Sequence, residues 1–273
     1  MGRVIPKEKW DTVEQYLEYL RHLAAYMLFA RRFIANKRVL EIGCGTGYGA
    51  NELSNYVSSF VAIDTSRESI HHCRDKYNKN KLFFVQGSGI ELPFRDESFD
   101  AVLSFQVIEH IEPKMVLNYL AEIKRVLKKG GIFLCSTPNK RLRLLPFQKP
   151  WNPEHKREFK DKELKKLLRK VFEEVKIYGL CGSEEVLSIE ENRVKQSPFK
   201  VYIMAPLYKM IKHILPSPIF LQAKSILNSK SHCSEPIAQE TGNFLNKFSL
   251  NDFKVDPGCP KDCIDLYGIC TIN

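Results

Sequence analysis

The sequence predicts an α/β protein: a doubly wound, mostly parallel seven-stranded sheet with helices on both faces and a helical insertion before the last strand. Three observations carry this. Short apolar runs alternate with helix-length segments from Arg38 to Gly182, the pattern of a parallel sheet whose crossovers are helices. A turn with glycines at 43, 45, 47 and 49 directly follows the first of those runs, and sheets of this class bind ligands beyond the carboxyl ends of their strands. The alternation stops after Gly182 and a β-branched, aromatic run returns only between Cys263 and Ile272, which reads as a last strand rejoining the sheet.

The elements follow in order. Over residues 10–35, Val13, Leu17, Leu20, Ala24, Met27, Leu28 and Phe33 recur on one helical face, so residues 1–36 are read as a helical segment lying over the ligand site. Residues 37–182 form the core, with strands expected at 38–42, 59–64, 81–86, 99–105, 131–136 and 172–180 and helices at 46–56, 66–77, 113–128 and 160–170. Residues 183–247 are read as an inserted helical cap. Their first part, 183–200, is polar, and 201–227 is apolar with Pro206, Pro216 and Pro218 as breakers. This apolar stretch either packs as a cap or touches lipid or an apolar substrate. Residues 248–273 supply the final strand.

Composition sets the class. At 273 residues, 44% apolar and 27% charged, the chain has the make-up of a soluble globular protein with one sizeable domain. Its net charge of +10 is concentrated: from Asn139 to Val171, twelve Lys and Arg stand against four Asp and Glu. Such a block is a solvated helix face, or it favours an anionic substrate, a nucleic acid or an acidic membrane surface. The eight cysteines include no Cys-x-x-Cys pair. Cys44, Cys135 and Cys270 sit in apolar runs as reduced thiols do, which points to the cytoplasm. Cys259 and Cys263 have no second pair of matching spacing, and no other His, Cys or Asp cluster has metal-ligand spacing, so no metal is expected. Neither a signal peptide nor a membrane span is expected.

The glycine turn identifies the ligand class. Residues 39–49 read Val-Leu-Glu-Ile-Gly-Cys-Gly-Thr-Gly-Tyr-Gly. A dinucleotide fingerprint starting at Gly43 needs its third glycine at 48, where Tyr48 stands. Acidic Glu41 ends the strand beside the turn, which repels a pyrophosphate and suits a cation. That points away from a nicotinamide dinucleotide and toward S-adenosylmethionine, which carries an ammonium and a sulfonium.

Further segments sit in order behind the turn: Val-Ala-Ile-Asp at 61–64, Val-Gln-Gly-Ser-Gly-Ile-Glu-Leu-Pro-Phe at 85–94, Ser-Phe-Asp-Ala-Val-Leu-Ser at 98–104, Phe-Gln-Val-Ile-Glu-His-Ile at 105–111, and Val-Leu-Lys-Lys-Gly-Gly-Ile-Phe-Leu-Cys-Ser-Thr-Pro-Asn at 126–139. With them the chain resembles the class I S-adenosylmethionine-dependent methyltransferases, of the small-molecule, methyltransferase type 11-like kind, over roughly residues 22–180 and the last strand. The resemblance implies a Rossmann-like core. It also implies that Glu41 and the backbone of Gly43, Gly45 and Gly47 hold the amino-acid end of the cofactor, and that Asp64 binds the ribose with Thr65 beside it. Ser88, Gly89 and Ile90 would meet the adenine edge, and Gln106 would line the sulfonium region. Relatives often carry an acid at position 88, so Ser88 offers a neutral, weaker acceptor. Asp64 could alternatively cap the helix at 66–77, in competition with Thr65 and Ser66, and Glu41 could pair with Lys37. His22 and Tyr26 resemble residues that fold over the cofactor, or simply pack.

Methyl transfer from a sulfonium is mostly positioning and desolvation, with a base needed for a hydroxyl or protonated amine. The candidates are His155, in Asn-Pro-Glu-His-Lys-Arg-Glu-Phe at 152–159, and His110, just past the fourth strand. His155 is read as base or acceptor ligand, or, with Glu158, as an anchor for the next helix. His71 and His72 are read as surface residues. The expected activity is methylation of a small-molecule acceptor, at an oxygen on an anionic or lipid-linked metabolite, with peripheral membrane contact through 201–227. Two alternatives stand: an RNA methyltransferase using the basic block at 140–170, with Phe147, Trp151 and Phe159 for stacking, and a non-catalytic S-adenosylmethionine-binding subunit.

Overall fold

Eight strands form one sheet, in the order β3-β2-β1-β4-β5-β8-β6-β7. They are β1 (Arg38–Ile42), β2 (Ser59–Asp64), β3 (Leu82–Gln86), β4 (Phe99–Phe105), β5 (Leu127–Pro138), β6 (Glu174–Gly182), β7 (Phe253–Asp256) and β8 (Asp265–Thr271). The computed structural model describes residues 10–145, 148–150, 152–194, 244–258 and 263–272. β1 to β5 pair in parallel. β8 lies antiparallel between β5 and β6, and β7 runs antiparallel on the outer edge of β6. The order turns back on itself between β1 and β4, so the loops after these two strands flank the crevice where such sheets bind ligands.

The expected seven-stranded count is corrected by β7. That strand is four residues long, with buried Phe253 followed by exposed Lys254, too brief for alternation to stand out. Residues 248–273 therefore bring two strands, not one. The other expected strands form at or within a few residues of the predicted bounds, with β5 longer at both ends.

Strand alternation splits the core into two layers. Val39, Ala101, Leu103 and Leu134 pack with Leu17, Leu20, Phe29 and Leu53 on one face. Leu40, Ile42, Val102 and Phe133 pack with Tyr119, Leu120, Ile123, Leu164 and Leu168 on the other. Both faces are buried, so the central strands read as continuous apolar runs.

The helices are shorter than predicted. α1 (Val13–Ala24) starts at Thr12, whose side chain accepts from Gln15 N, and runs on into a π turn at Ala25–Phe29 and a 3-10 turn at Ala30–Arg32. The wide turn presents Tyr26 toward the end of β1. α2 (Tyr48–Leu53), α3 (Arg67–Lys76), α4 (Val116–Val126) and α6 (Asp161–Leu168) occupy the expected crossovers, and a short α5 (Lys140–Arg143) follows β5. α7 (Glu184–Val194) forms in the polar first part of the expected helical insertion, with Val186 and Glu190 buried. The apolar stretch 201–227, Phe147, Trp151, Cys233 and Cys259 lie outside the described residues. No helix among the described residues is long and apolar enough to cross a membrane. The six described cysteines are free, five of them buried.

Candidate cofactor and acceptor site

The turn after β1 is pinned to the end of β2. Gly43 N and Cys44 N both donate to Ile63 O, at 2.8 and 3.2 Å. Gly43 has φ +78°, and a Cβ there would lie 2.5 Å from Val107 Cγ2. Gly47, at φ +73°, would drive a Cβ to 2.7 Å from Cys73 Sγ. At both positions a side chain meets left-handed strain and a steric block at once. Gly45 N donates to Asp64 Oδ2 (2.9 Å) and Ser66 N donates to Asp64 Oδ1 (2.8 Å). The α3 cap is Ser66, whose hydroxyl accepts from Ser69 N, so Asp64 is not used as that cap. Each Asp64 oxygen keeps a second lone pair for further donors. Thr65 beside it is exposed, and its carbonyl accepts from Gln86 Nε2.

Glu41 is buried at 1% exposure. The Tyr26 hydroxyl donates to its Oε1 at 2.6 Å, and its Oε2 has no hydrogen-bond partner among the described residues. Burial pushes the Glu41 carboxyl up to about 7, against the opposing hydrogen bond from Tyr26 and with some help from the charge of Asp64. The expected alternative pairing with Lys37 is not found: the bonded neighbour is Tyr26, whose ring occupies the space that a Cβ on Gly49 would need. Tyr26 is the residue that sequence reasoning left undecided between packing and covering the ligand. The signal that could have placed it is the absence of any side chain at position 49.

In the turn after β3, expected to meet the adenine, the Ser88 hydroxyl accepts from Ile90 N at 3.4 Å. A Cβ on Gly89 would lie 2.8 Å from both Ile42 and Tyr119, so this turn is seated on the ends of β1 and α4. Gln106, at φ +56°, donates from its backbone to Ser136 O and from Nε2 to Ser136 Oγ. Its side chain also hydrogen bonds Asp265 on β8. Asp265 in turn faces Arg21 Nε at 3.1 Å, and Arg21 Nη1 reaches Glu190 Oε2 at 3.4 Å, all buried. This bracket ties α1, α7 and β8 to the end of β4, and no local sequence pattern announces it.

The corner expected to face the acceptor is assembled from the 3-10 turn Ile108–His110 after β4 and the loop 152–158 after β5. Lys156 N and Arg157 N both donate to Glu109 O, at 2.7 and 3.3 Å, which seats His155 against His110. The two rings meet edge to face with centroids 4.8 Å apart. His155 Nδ1 is 2.9 Å from Glu158 Oε1 and His110 Nδ1 is 3.3 Å from Glu154 O. Burial and the neighbouring imidazole hold His110 below the ordinary histidine value. Glu109 is fully buried, accepts from Thr137 Oγ1 at 3.0 Å, and has an unpartnered Oε1; burial raises its carboxyl to about 8. Glu109, which sequence reasoning passed over, offers a carboxylate oxygen that lies, with one nitrogen from each histidine, in a group no more than 4.8 Å across. His71 and His72 are exposed on α3.

These residues fit S-adenosylmethionine. A buried carboxylate oxygen with no partner beside a glycine turn is suited to an ammonium, and the turn keeps its backbone bare where Gly45 would place a Cβ, with no atom within 4 Å.

Comparison with known proteins agrees. Residues 40–135 match the family model described as a methyltransferase domain. A Mycolicibacterium smegmatis protein named a probable S-adenosylmethionine-dependent methyltransferase is 38% identical over 57% of this chain and 58% of its own length. A Mycobacterium tuberculosis protein of the same description is 37% identical over 57% of this chain and 55% of its own. The matched region thus spans little more than half of these relatives. The fatty-acid O-methyltransferase of M. smegmatis is 31% identical over 73% of this chain and 68% of its own length. Among solved structures, a Thermotoga maritima methyltransferase described as a possible histamine N-methyltransferase superposes with TM-score 0.56 at 19% identity over 95% and 94% of the two chains. The cyclase SpnF superposes with TM-score 0.53 at 15% identity over 97% of this chain and 86% of its own. At such identities the likeness is one of fold.

Proposed function

The chain belongs to the class I S-adenosylmethionine-dependent methyltransferases, and we propose that it transfers the methyl group to an oxygen of an anionic or lipid-linked small molecule. The observation that carries the proposal is the pairing of two differently built halves: an unpartnered buried Glu41 oxygen beside the glycine turn, and a polar acceptor corner of Glu109, His110 and His155 past β4. When bound, S-adenosylmethionine supplies a methyl group already activated on sulfur. Glu41 and the backbone of Gly43, Gly45 and Gly47 hold its amino-acid end. Asp64, with Thr65 beside it, takes the ribose, and Ser88, Gly89 and Ile90 border the adenine. Gln106, fixed by Ser136 and Asp265, lines the sulfonium side. His110 and His155 stand on the acceptor side.

Three features support an anionic, partly apolar acceptor. The fatty-acid O-methyltransferase is the relative with the longest match among those described above. Phthiotriol/phenolphthiotriol dimycocerosates methyltransferases of Mycobacterium ulcerans are 41% identical over 37% of this chain. From Asn139 to Val171 twelve Lys and Arg stand against four Asp and Glu, a basic segment that attracts anions. We place contact with an apolar acceptor or lipid surface at residues 201–227, and the protein in the cytoplasm or at the membrane periphery. A carboxylate acceptor is ionised at neutral pH and needs no base; a hydroxyl does.

The test is incubation of the purified full chain with isotopically labelled S-adenosylmethionine and a panel of fatty acids, lipid alcohols and phenols, and RNA, read by mass spectrometry. Labelled methyl esters or ethers are expected. Cofactor binding with no transfer to any of them, or transfer to RNA alone, would overturn the proposal.

A further inference from the structure

We propose that Glu109, His110 and His155 bind a divalent first-row transition-metal ion, and that this ion holds the acceptor oxygen. One ring nitrogen from each histidine and one carboxylate oxygen of Glu109 lie within 4.8 Å of one another. Around one ion with bonds of about 2.0–2.2 Å, ligand atoms sit roughly 3–4 Å apart, so a small inward shift of the three side chains closes the set.

Three independent features match a metal corner. First, each imidazole has its Nδ1 beside a fixed oxygen, Glu158 Oε1 for His155 and Glu154 O for His110. An oxygen there selects the tautomer with the proton on Nδ1 and leaves the lone pair on Nε2, which is how metal-binding histidines are ordinarily oriented by their outer partners. Second, Glu109 is 0% exposed and keeps Oε1 without a hydrogen-bond partner while Oε2 is held by Thr137. A buried, unpartnered carboxylate oxygen is costly unless something positive meets it. Third, the corner is rigidly joined: Lys156 N and Arg157 N bind Glu109 O, and Glu158, itself buried, lies between His155 and Arg143 Nε at 3.9 Å. Two imidazoles and one carboxylate suit ions such as zinc, iron, cobalt or nickel, whereas magnesium and calcium prefer all-oxygen sets.

A nitrogen that binds the ion cannot also take a proton, so this role replaces the base role for both histidines. An ion with open positions lowers the pKa of a bound hydroxyl. The hydroxyl proton leaves to solvent, the oxygen lone pair forms the new bond to the methyl carbon, and the carbon–sulfur pair stays on sulfur. Only this use of the ion rests on the methyltransferase reading; binding of the ion does not.

The experiment is a titration of the chelator-stripped full chain with Co²⁺, read by visible d–d absorption, alongside calorimetric titration with S-adenosylmethionine. One Co²⁺ per chain is expected. His155→Ala should weaken Co²⁺ binding at least tenfold, and Glu158→Gln, which leaves all three ligands in place, by about ten- to a hundredfold, with cofactor affinity kept within twofold in both. Retained cofactor binding reports that each variant is folded; if His155→Ala fails that control, His110→Gln is read in its place with the same tenfold expectation. Absence of saturable Co²⁺ binding, or equal affinity in wild type and folded variants, overturns the proposal. Loss of methyl transfer with the Co²⁺ results intact would count against the proposed activity alone.

Discussion

The cofactor half and the acceptor half of the crevice are built by opposite means. The cofactor half is made largely from backbone: Gly43, Gly45 and Gly47 sit within one turn, and the two carboxylates beside it, Glu41 and Asp64, lie at the carboxyl ends of adjacent parallel strands. The acceptor half is made from side chains delivered by separate elements, with Glu109 and His110 after β4 and His155 and Glu158 from the loop beyond β5, joined by backbone hydrogen bonds to Glu109 O. A backbone site depends on conformation and tolerates little change in its glycines. A side-chain site depends on burial and on partners that can be removed singly. The difference teaches where variation is tolerated: chemistry on the acceptor can diversify while the donor side stays fixed.

The bracket of Arg21, Asp265 and Glu190 is where the two halves share a support, and breaking it has the largest expected effect. Arg21→Ala removes the buried cation that Asp265 and Glu190 share, a loss of about 3–5 kcal/mol. Chemical denaturation should show this as a large fall in midpoint, with cofactor binding lost only as the fold is lost. A change below about 1 kcal/mol would mean that the halves do not depend on this bracket. Next in size is Glu41→Gln, which removes the charge proposed to meet the ammonium. Cofactor affinity should fall about ten- to a hundredfold, while Co²⁺ binding at the acceptor corner stays within twofold. Equal losses at both sites would erase the contrast drawn above.

Legibility follows the same division. The glycine turn, Asp64 and the five parallel strands are local patterns, and each was readable where it stands: Val39 and Leu40 fill opposite layers as alternation requires. The acceptor corner was half readable. His110 and His155 are suggestive residue types, but their convergence is fixed by hydrogen bonds from residues 156 and 157 to Glu109 O, and Glu109 looked like one more acid in an apolar run. The bracket was unreadable, because α7 has a weakly amphipathic sequence and its buried Glu190 makes sense only opposite Arg21. β7 was missed for its brevity. Tertiary pairing, rather than local preference, decided each of these.

The raised Glu41 carboxyl gives the comparison a pH signature. With its value moved up to about 7, the carboxylate proposed to bind the ammonium is fully formed only above that pH. Cofactor affinity should therefore rise about tenfold between pH 6 and pH 8, and Glu41→Gln should flatten the profile. The ligand-free chain responds in the opposite sense. A carboxyl whose folded value lies above its ordinary 4.5 contributes stability that is full below 4.5 and is lost as pH rises through about 7. Cofactor should thus raise the melting temperature more at pH 8 than at pH 6. A pH-independent affinity would show that Glu41 is not the ammonium's partner.

The smallest expected effect lies at the adenine edge, and it asks whether the cofactor half is a backbone site throughout. Ser88 already spends its hydroxyl on Ile90 N, in a long contact of 3.4 Å, and the turn is seated by Gly89 against Ile42 and Tyr119. Removing a neutral hydrogen bond of this kind costs about 0.5–1.5 kcal/mol at most where the group is well placed, and less here. Ser88→Ala should weaken cofactor binding by less than threefold. Ser88→Asp supplies the charged acceptor that related chains often carry, and a charge-assisted bond is roughly twice as strong as a neutral one, so affinity should rise several-fold. A loss of tenfold or more in Ser88→Ala would mean that the hydroxyl carries recognition here, and that this half, too, is read through side chains.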